Sequence, residues 1–426
     1  MDNTAVKIIS FFDSLEEFLI GILFFTIPFG WTLSIVPLIL FSATLIINIF
    51  TKPEKPKREK VLYFLPLISI FIWNLITLFY TENLNQGITS LTTQLALIVA
   101  AIAFLFNKIP PATVGKGFLM FVLGCLTSVI ILYGIAIQDS SSIVGDAFIF
   151  RPIINAPKPP MLDTDINGNY FLGSALSRFV HPAYNALMLA LAMFISLHKL
   201  RIDTETTVPR HFWVFCFMLF GLTTIFFSFI GTLILSSVII VLIIGILSVQ
   251  KGHYGDYSRA IYSILLIFVL LIIANPQARQ LADYKMSDSL SKRAKVTQVS
   301  LNLIGDHWLL GTGIGDEKDE MVKEYLKIGD FHLAEKKANS HNQFLTTWVQ
   351  SGLVGLLLLM WSMVMVGLRA KRKQVMLLHI FNVLVIVSFL FESMLLRYWG
   401  VITFTLFYGM LYFYSEDQDL VDRLKL

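Results

Sequence analysis

Ser340-His341-Asn342-Gln343 opens an apolar run and sets an imidazole, the side chain suited to moving a proton near neutral pH, among three hydrogen-bonding neighbours. The Ser340 to Gln343 spacing reads as a capping box, which predicts a helix starting at Ser340 with His341 in its first turn. Free N–H groups and the positive dipole end gather there and favour an anion such as phosphate. A histidine that merely starts an interfacial helix fits the same spacing. Arginines are the natural clamp for a diphosphate, because a planar, permanently charged guanidinium offers paired donors. Arg151, Arg178, Arg279, Arg293 and Arg397 are the candidates, with a solvated loop charge or a lipid-headgroup contact as the alternative for each.

Glu392-Ser393-Met394-Leu395-Leu396-Arg397 brings two opposite charges into a short join between apolar runs, as either a functional site or a structural pair. Arg178, His181 and Tyr184 recur at three-residue spacing around Pro182, broadly on one face of a helix start, where they can meet a polar head group. Gly311-Thr312-Gly313-Ile314-Gly315-Asp316 predicts a tight bend with Asp316 capping the next helix. No strand and no βαβ unit are expected around it, so a dinucleotide site is not expected. Asp163-Thr164-Asp165-Ile166-Asn167-Gly168 begins like a calcium loop, but Ser174 stands where the closing carboxylate belongs, so a turn is expected. No HExxH, Walker A, nucleophile elbow or Cys/His set is present, and no metal or other cofactor is expected.

These residues need a scaffold, and the composition says which kind. Of 426 residues, 56% are hydrophobic and 15% charged, against about 25% charged in soluble domains, so a water-soluble fold is excluded. The apolar runs are apolar all round rather than alternating, which predicts an all-α polytopic membrane protein instead of a barrel. About twelve transmembrane helices are expected in a single integral membrane domain over 1–426. They fall near 16–29, 31–50, 61–80, 85–106, 112–137, 181–198, 212–229, 231–249, 258–275, 342–367, 375–391 and 398–415. The acidic N-terminus lacks a basic region and a cleavage site, so the first span is expected to be retained.

Most of the 33 Lys and Arg residues fall at the two ends of the sequence and in short connections of one parity, which puts both termini in the cytoplasm. The others lie in two long external loops, 138–180 and 276–341, with Arg397 the single exception. The larger loop mixes acids and bases and is expected to hold short helices, since Val296, Val299 and Leu303 fall at helical spacing. Cys125 and Cys216 sit within apolar runs and read as buried thiols. The charge of +4 is spread over loops, with no stripe for nucleic acid.

Several of these pieces follow one another in a recognisable order. They are Tyr80-Thr81-Glu82-Asn83-Leu84, His181-Pro182-x-Tyr184, Arg293, Gly311-x-Gly313-x-Gly315-Asp316, His341-Asn342-Gln343-Phe344-Leu345, Gly352-Leu353-Val354-Gly355 and Glu392 to Arg397. Over most of its length the chain resembles the O-antigen ligase family of bacterial membrane glycosyltransferases. The resemblance implies a GT-C-like helical scaffold in the inner membrane. It also implies metal-independent, inverting transfer of a glycan from undecaprenyl diphosphate to the lipid A core, with the active site in the 276–341 loop facing the periplasm. By the same resemblance His341 is the general base or acceptor-orienting residue and Arg293 a diphosphate ligand. Arg178, His181, Asn342, Arg397, Glu392, Arg151 and Arg279 are the residues expected around the substrates. Where the family carries Ser-Arg at one span join, this chain reads Ser228-Phe229-Ile230-Gly231-Thr232, so another arginine must stand in or the donor site differs. An O-antigen polymerase, using a second lipid-linked glycan as acceptor, and a protein O-oligosaccharyltransferase share the donor. A lipid-linked sugar transporter is the reading from another class, but it needs charges at mid-membrane, and these are scarce.

Overall fold

The structure, a computed structural model, describes residues 3–51, 55–144, 146–152, 169–202, 208–227 and 276–416. Helices α1 (Asn3–Thr26), α2 (Trp31–Thr51), α3 (Arg58–Thr77), α4 (Leu84–Phe106) and α5 (Pro111–Ser140) follow one another through short joins. A small antiparallel hairpin comes next, β1 (Ser141–Val144) with β2 (Ala147–Phe150), Ser141 standing opposite Phe150. Then come α6 (Gly173–Leu176), α7 (Pro182–Ile202) and α8 (Arg210–Phe226). The last described stretch carries α9 (Pro276–His307), α10 (Glu317–Lys327), α11 (Phe331–Glu335), α12 (Gln343–Lys373), α13 (Met376–Phe391) and α14 (Tyr398–Tyr414).

The expectation of about twelve spans is corrected. Among the described residues six helices are long and apolar enough to cross a membrane: α2, α3, α4, α5, α7 and α12. The reason is length and charge. At 1.5 Å per residue, 17 residues in α8 or α14 and 16 in α13 reach about 26 Å or less, short of a hydrocarbon core of about 30 Å. Helix α1 is long enough but carries Asp13, Glu16 and Glu17 in its middle. The spans expected at 231–249 and 258–275, like the Asp163 turn and Phe229, lie outside the described residues. The chain is a multi-pass membrane protein, and the outward faces of its spans show it: Val36, Ile39 and Leu40 on α2 are exposed apolar side chains that only lipid can cover favourably.

Helix α14 explains how an apolar run can be something other than a span. Every residue from Gly400 to Tyr414 is buried, as expected of a helix that is hydrophobic all round and enclosed by protein. Gly409 lets it approach α4, since a Cβ there would lie 2.2 Å from the Phe104 ring. Its Tyr408 hydroxyl donates to Tyr63 O at 2.6 Å, while the Tyr63 hydroxyl donates to Tyr408 O at 3.1 Å, so neither buried phenol is left unpaired.

Outside the spans, α9 presents Val296, Val299 and Leu303 on one face, and all three are buried against Met321, Tyr325, Leu333 and Val349. This second small core fixes α9 against the start of α12. Ser300, on the same face, donates to Ser340 Oγ at 3.1 Å, and Arg293 lies two turns N-terminal to Ser300.

The glycine-rich bend has a mechanical role. Helix α12 breaks at Gly352, whose φ of 67° falls in the left-handed region, and the break frees carbonyls that the helix no longer satisfies. Thr312 N donates to Val349 O at 2.7 Å, Gly313 N to Gln350 O at 3.0 Å, and the Trp73 indole to Ser351 O at 2.8 Å. Asp316 stands at the N-cap of α10 but makes no side-chain cap, contrary to expectation. Its carboxylate instead accepts from Glu82 N and Asn83 N, both at 2.8 Å, and ties the bend to the join between α3 and α4.

Candidate active site

The start of α12 differs from the capping box that its sequence suggests. Asn342, not Ser340, is the N-cap: its Oδ1 accepts from Phe344 N at 2.9 Å and Leu345 N at 3.1 Å. His341 therefore precedes the helix, at a φ of 45°, a left-handed conformation that costs a non-glycine residue about 1–2 kcal/mol. Asn339 holds it there, its Oδ1 accepting from His341 N at 3.0 Å in an Asx turn. Strain of this kind is maintained by the two flanking asparagines, Asn339 through its bond to His341 N and Asn342 through its cap.

The join between α13 and α14 supplies the partner. Glu392 is in extended backbone with its N–H on Ser388 O at 2.9 Å. Its Oε1 accepts from Ser393 N at 3.2 Å, and its Oε2 faces His341 Nδ1 at 3.4 Å. The imidazole is 42% exposed and the carboxylate 10%, so a substrate can reach the first but not readily the second. Helix α12 grips this join at two points: Gln343 Oε1 accepts from Leu395 N at 2.6 Å, and Thr346 shares a 2.7 Å hydroxyl contact with Ser393. From α7 the Tyr184 hydroxyl reaches Ser393 O at 3.4 Å.

Two more basic side chains complete the cluster. Arg293 donates to Phe391 O at 3.0 Å, immediately before Glu392. His181 lies at the start of α7, its ring 6.0 Å from that of Tyr184. Burial pushes the Glu392 carboxyl up, but the hydrogen bond and charge of His341, joined by His181 and Arg293, outweigh it and hold the group below the ordinary carboxylate value. Burial likewise pushes the His181 imidazole below its usual value; Glu392 opposes that shift, while Arg397 and His341 add to it. Burial lowers the Arg293 guanidinium, with Glu392 pulling the other way.

The structure thus gathers His341, Glu392, His181 and Arg293, with Arg397 near enough for its charge to act on His181. Arg397 is exposed and makes no ion pair among the described residues, so the Glu392 to Arg397 pair allowed by their spacing does not form. Arg178 is committed elsewhere, paired with Asp139 and donating from Nε to Ala175 O at 3.1 Å. Arg151 is exposed just past β2, its N–H on Ser140 O at 2.7 Å. Arg279 belongs to α9, but its side chain lies outside the described residues. Asn342 contributes as the cap that sets His341 in place. Asn339 and Thr346 are positioning residues that the sequence did not mark, while Gln343 and Ser393, which lie in marked segments, hold the join instead of closing a capping box or flanking an ion pair. Asn339 alone had a local signal, since Asx turns put Asn two residues before the group they hold. Among the described residues, no three His, Cys, Asp or Glu side chains gather as metal ligands do.

The fold and site define a multi-pass helical membrane protein whose titratable cluster forms where α7, α9 and α12 meet the join before α14. Residues 175–360 match the O-antigen ligase family model, and the chain carries a domain of that family. The match takes in His181, Arg293, the Gly311 to Asp316 bend and His341, and ends before Glu392 and Arg397. It supports an enzymatic role in glycan transfer in general. No curated protein matches the chain.

Proposed function

We propose that the protein is an O-antigen ligase of the bacterial inner membrane, moving a glycan from undecaprenyl diphosphate to lipid A core oligosaccharide. The observation that carries this reading is the His341 to Glu392 contact, with Arg293 and His181 close by, in a chain with an O-antigen ligase domain.

The acceptor hydroxyl oxygen bonds to the anomeric carbon of the donor as the carbon–oxygen bond to the diphosphate breaks, which inverts the anomeric configuration. The diphosphate leaves with the electron pair, and the hydroxyl proton passes to His341 Nε2. With Nδ1–H turned to Glu392, Nε2 carries the free lone pair, and the carboxylate stabilises the imidazolium as it forms. The leaving group is already good, so the remaining task is to neutralise developing phosphate charge and orient the acceptor. Arg293 and Arg397 do the former.

The site faces the periplasm. His341 precedes α12, whereas Arg369, Lys371, Arg372 and Lys373 close its other end, and such a basic cluster marks the cytoplasmic side of a span.

Purified protein in proteoliposomes, given undecaprenyl-diphosphate glycan with either lipid A core or a second lipid-linked glycan, tests the proposal. A single product on lipid A core supports it. A ladder still on undecaprenyl diphosphate makes the protein a polymerase, and no product with either acceptor overturns the reading.

A further inference from the structure

The join between α9 and the glycine-rich bend, Trp308-Leu309-Leu310, turns three large apolar side chains outward, and Trp308 is 54% exposed. The turn after α3 does the same with Tyr80 and with Phe79, which is 91% exposed, and Leu84 follows as the first residue of α4. The two segments meet where the Tyr80 hydroxyl donates to Leu310 O at 2.6 Å. Facing water, such side chains would be unfavourable by about 25 cal/mol for each Å² of apolar area.

Two helices place these segments at the edge of the hydrocarbon. Arg369 donates from Nη1 to Glu59 at 2.9 Å, which aligns the basic end of α12 with the first turn of α3. At 1.5 Å per residue, the stretch from Arg369 back to Gly352 runs about 26 Å, and that from Glu59 to Phe79 about 30 Å. A hydrocarbon core is about 30 Å thick, so Gly352 lies just inside its far edge and Phe79 at it. The join is held at this depth. Trp308 O accepts from Leu353 N and from the Trp348 indole, both at 2.9 Å, and Leu309 O lies so close to Gly352 that a Cβ there would be 2.1 Å away.

Two further observations name lipid as the cover. Non-helical backbone at membrane depth must find its hydrogen bonds within the protein. Trp308 O has its two donors, Leu310 O has the Tyr80 hydroxyl, and Gly311 N, Thr312 N and Gly313 N are bonded to His307 O, Val349 O and Gln350 O. The surface also continues the lipid-facing sides of two spans. Ile72, Leu75, Ile76 and Phe79 are exposed at i, i+3, i+4 and i+7 along α3 and the turn after it, and exposed Leu84, Ile88 and Leu95 share a face of α4. Asp306 and His307, exposed in the last turn of α9, mark where water begins, and Trp308 stands between, where interfacial tryptophans gather. We infer that Trp308, Leu309 and Leu310, with Phe79, Tyr80 and Leu84, are immersed in the acyl chains of the leaflet on the His341 side. The 276–341 segment is then not wholly external: it dips into the membrane at its middle and anchors the end of α9 there.

Spin labels read the depth. Leu309→Cys carrying a nitroxide, in full-length protein in proteoliposomes of phosphatidylethanolamine and phosphatidylglycerol, is compared with labelled Leu75→Cys on the lipid face of α3 and labelled Asp306→Cys. Cys125 and Cys216 are buried, and wild type treated with the same label supplies the blank. The Leu309 label is expected to collide with oxygen several-fold more often than with a water-soluble nickel chelate, as the Leu75 label does, while the Asp306 label shows the reverse. Nickel access at Leu309 equal to that at Asp306 overturns the proposal. So does a Leu309 label shielded from both reagents, because a second copy or another protein then covers the surface. A second measurement needs no label: lipids brominated in their chains are expected to quench wild-type tryptophan emission more than that of Trp308→Phe, and equal quenching of the two overturns the proposal as well.

Discussion

Glu392 Oε2 lies 3.4 Å from His341 Nδ1 although 51 residues separate them in the chain. The contact exists because the first turn of α12 holds the join before α14 through Gln343 and Thr346, so one helix start positions both members of the pair. A carboxylate on Nδ1 fixes ring orientation and leaves Nε2 for the acceptor. Glu392→Gln is therefore expected to lower kcat roughly 100-fold, about 3 kcal/mol of transition-state stabilisation, with little change in KM. The double variant with His341→Ala should be no slower than His341→Ala alone, because the two residues act as a unit. Steady-state kinetics on the four proteins check this.

Arg293 joins the cluster from α9 and holds Phe391 O. Lysine keeps the charge but loses the fork that grips two oxygens at once. Arg293→Lys is expected to cut kcat/KM for the lipid-linked donor at least about tenfold and Arg293→Ala further, while affinity for the acceptor stays near wild type. Donor and acceptor titrations measured separately decide it.

Acid should loosen the cluster in two stages. The His181 imidazole is held below its ordinary value, so the unfolded chain takes up its proton first, and stability falls as pH drops from about 6.5 through the folded value. The Glu392 carboxyl is also held low, so its contribution is present above about pH 4.3 and is lost as pH falls through its own folded value. Melting temperatures of the wild type and His181→Gln between pH 8 and about pH 2 should differ in the first stage and coincide in shape in the second.

Glu317 carries the opposite sign. Burial pushes its carboxyl up to about 7, against the pull of Lys318 and Gln350. A raised carboxyl stabilises the fold at low pH, and that contribution is lost as pH rises from about 4.5 towards 7, on the order of 3 kcal/mol in all. Glu317→Gln, which cannot ionise, is expected to melt higher than wild type at pH 8 and alike at pH 5.

The bend beneath the site should tolerate no side chain. A Cβ at Gly352 would lie 2.1 Å from Leu309 O, and its φ of 67° is itself unfavourable for alanine. Gly352→Ala is expected to destabilise the protein by at least about 2 kcal/mol and to lower its melting temperature by several degrees.

Residue types and spacing marked the members of the candidate cluster more readily than the number of spans. The α9 face was legible because Val296, Val299 and Leu303 recur at helical period, and burial of all three follows from that period. His341, His181, Arg293, Glu392 and Arg397 were each visible as residues able to do chemistry. Their assembly around one carboxylate was not, since it depends on how three helices and a join meet. The cap was misread at Ser340 because serine and asparagine cap about equally well, so residue type does not separate Ser340 from Asn342 two positions later. Span number was overcounted because hydropathy cannot distinguish a helix wrapped in protein, such as α14, from one wrapped in lipid. Glu317 gave no signal, because an acid in a first helical turn ordinarily serves the helix dipole at the surface.

The most direct test of the account is single-turnover transfer of glycan from undecaprenyl diphosphate by wild-type and His341→Ala protein in the same proteoliposomes, with folding of both verified. A loss of about a hundredfold to ten-thousandfold, with donor still bound, is the predicted result. Wild-type turnover by a folded His341→Ala protein would contradict it and remove His341 from the mechanism.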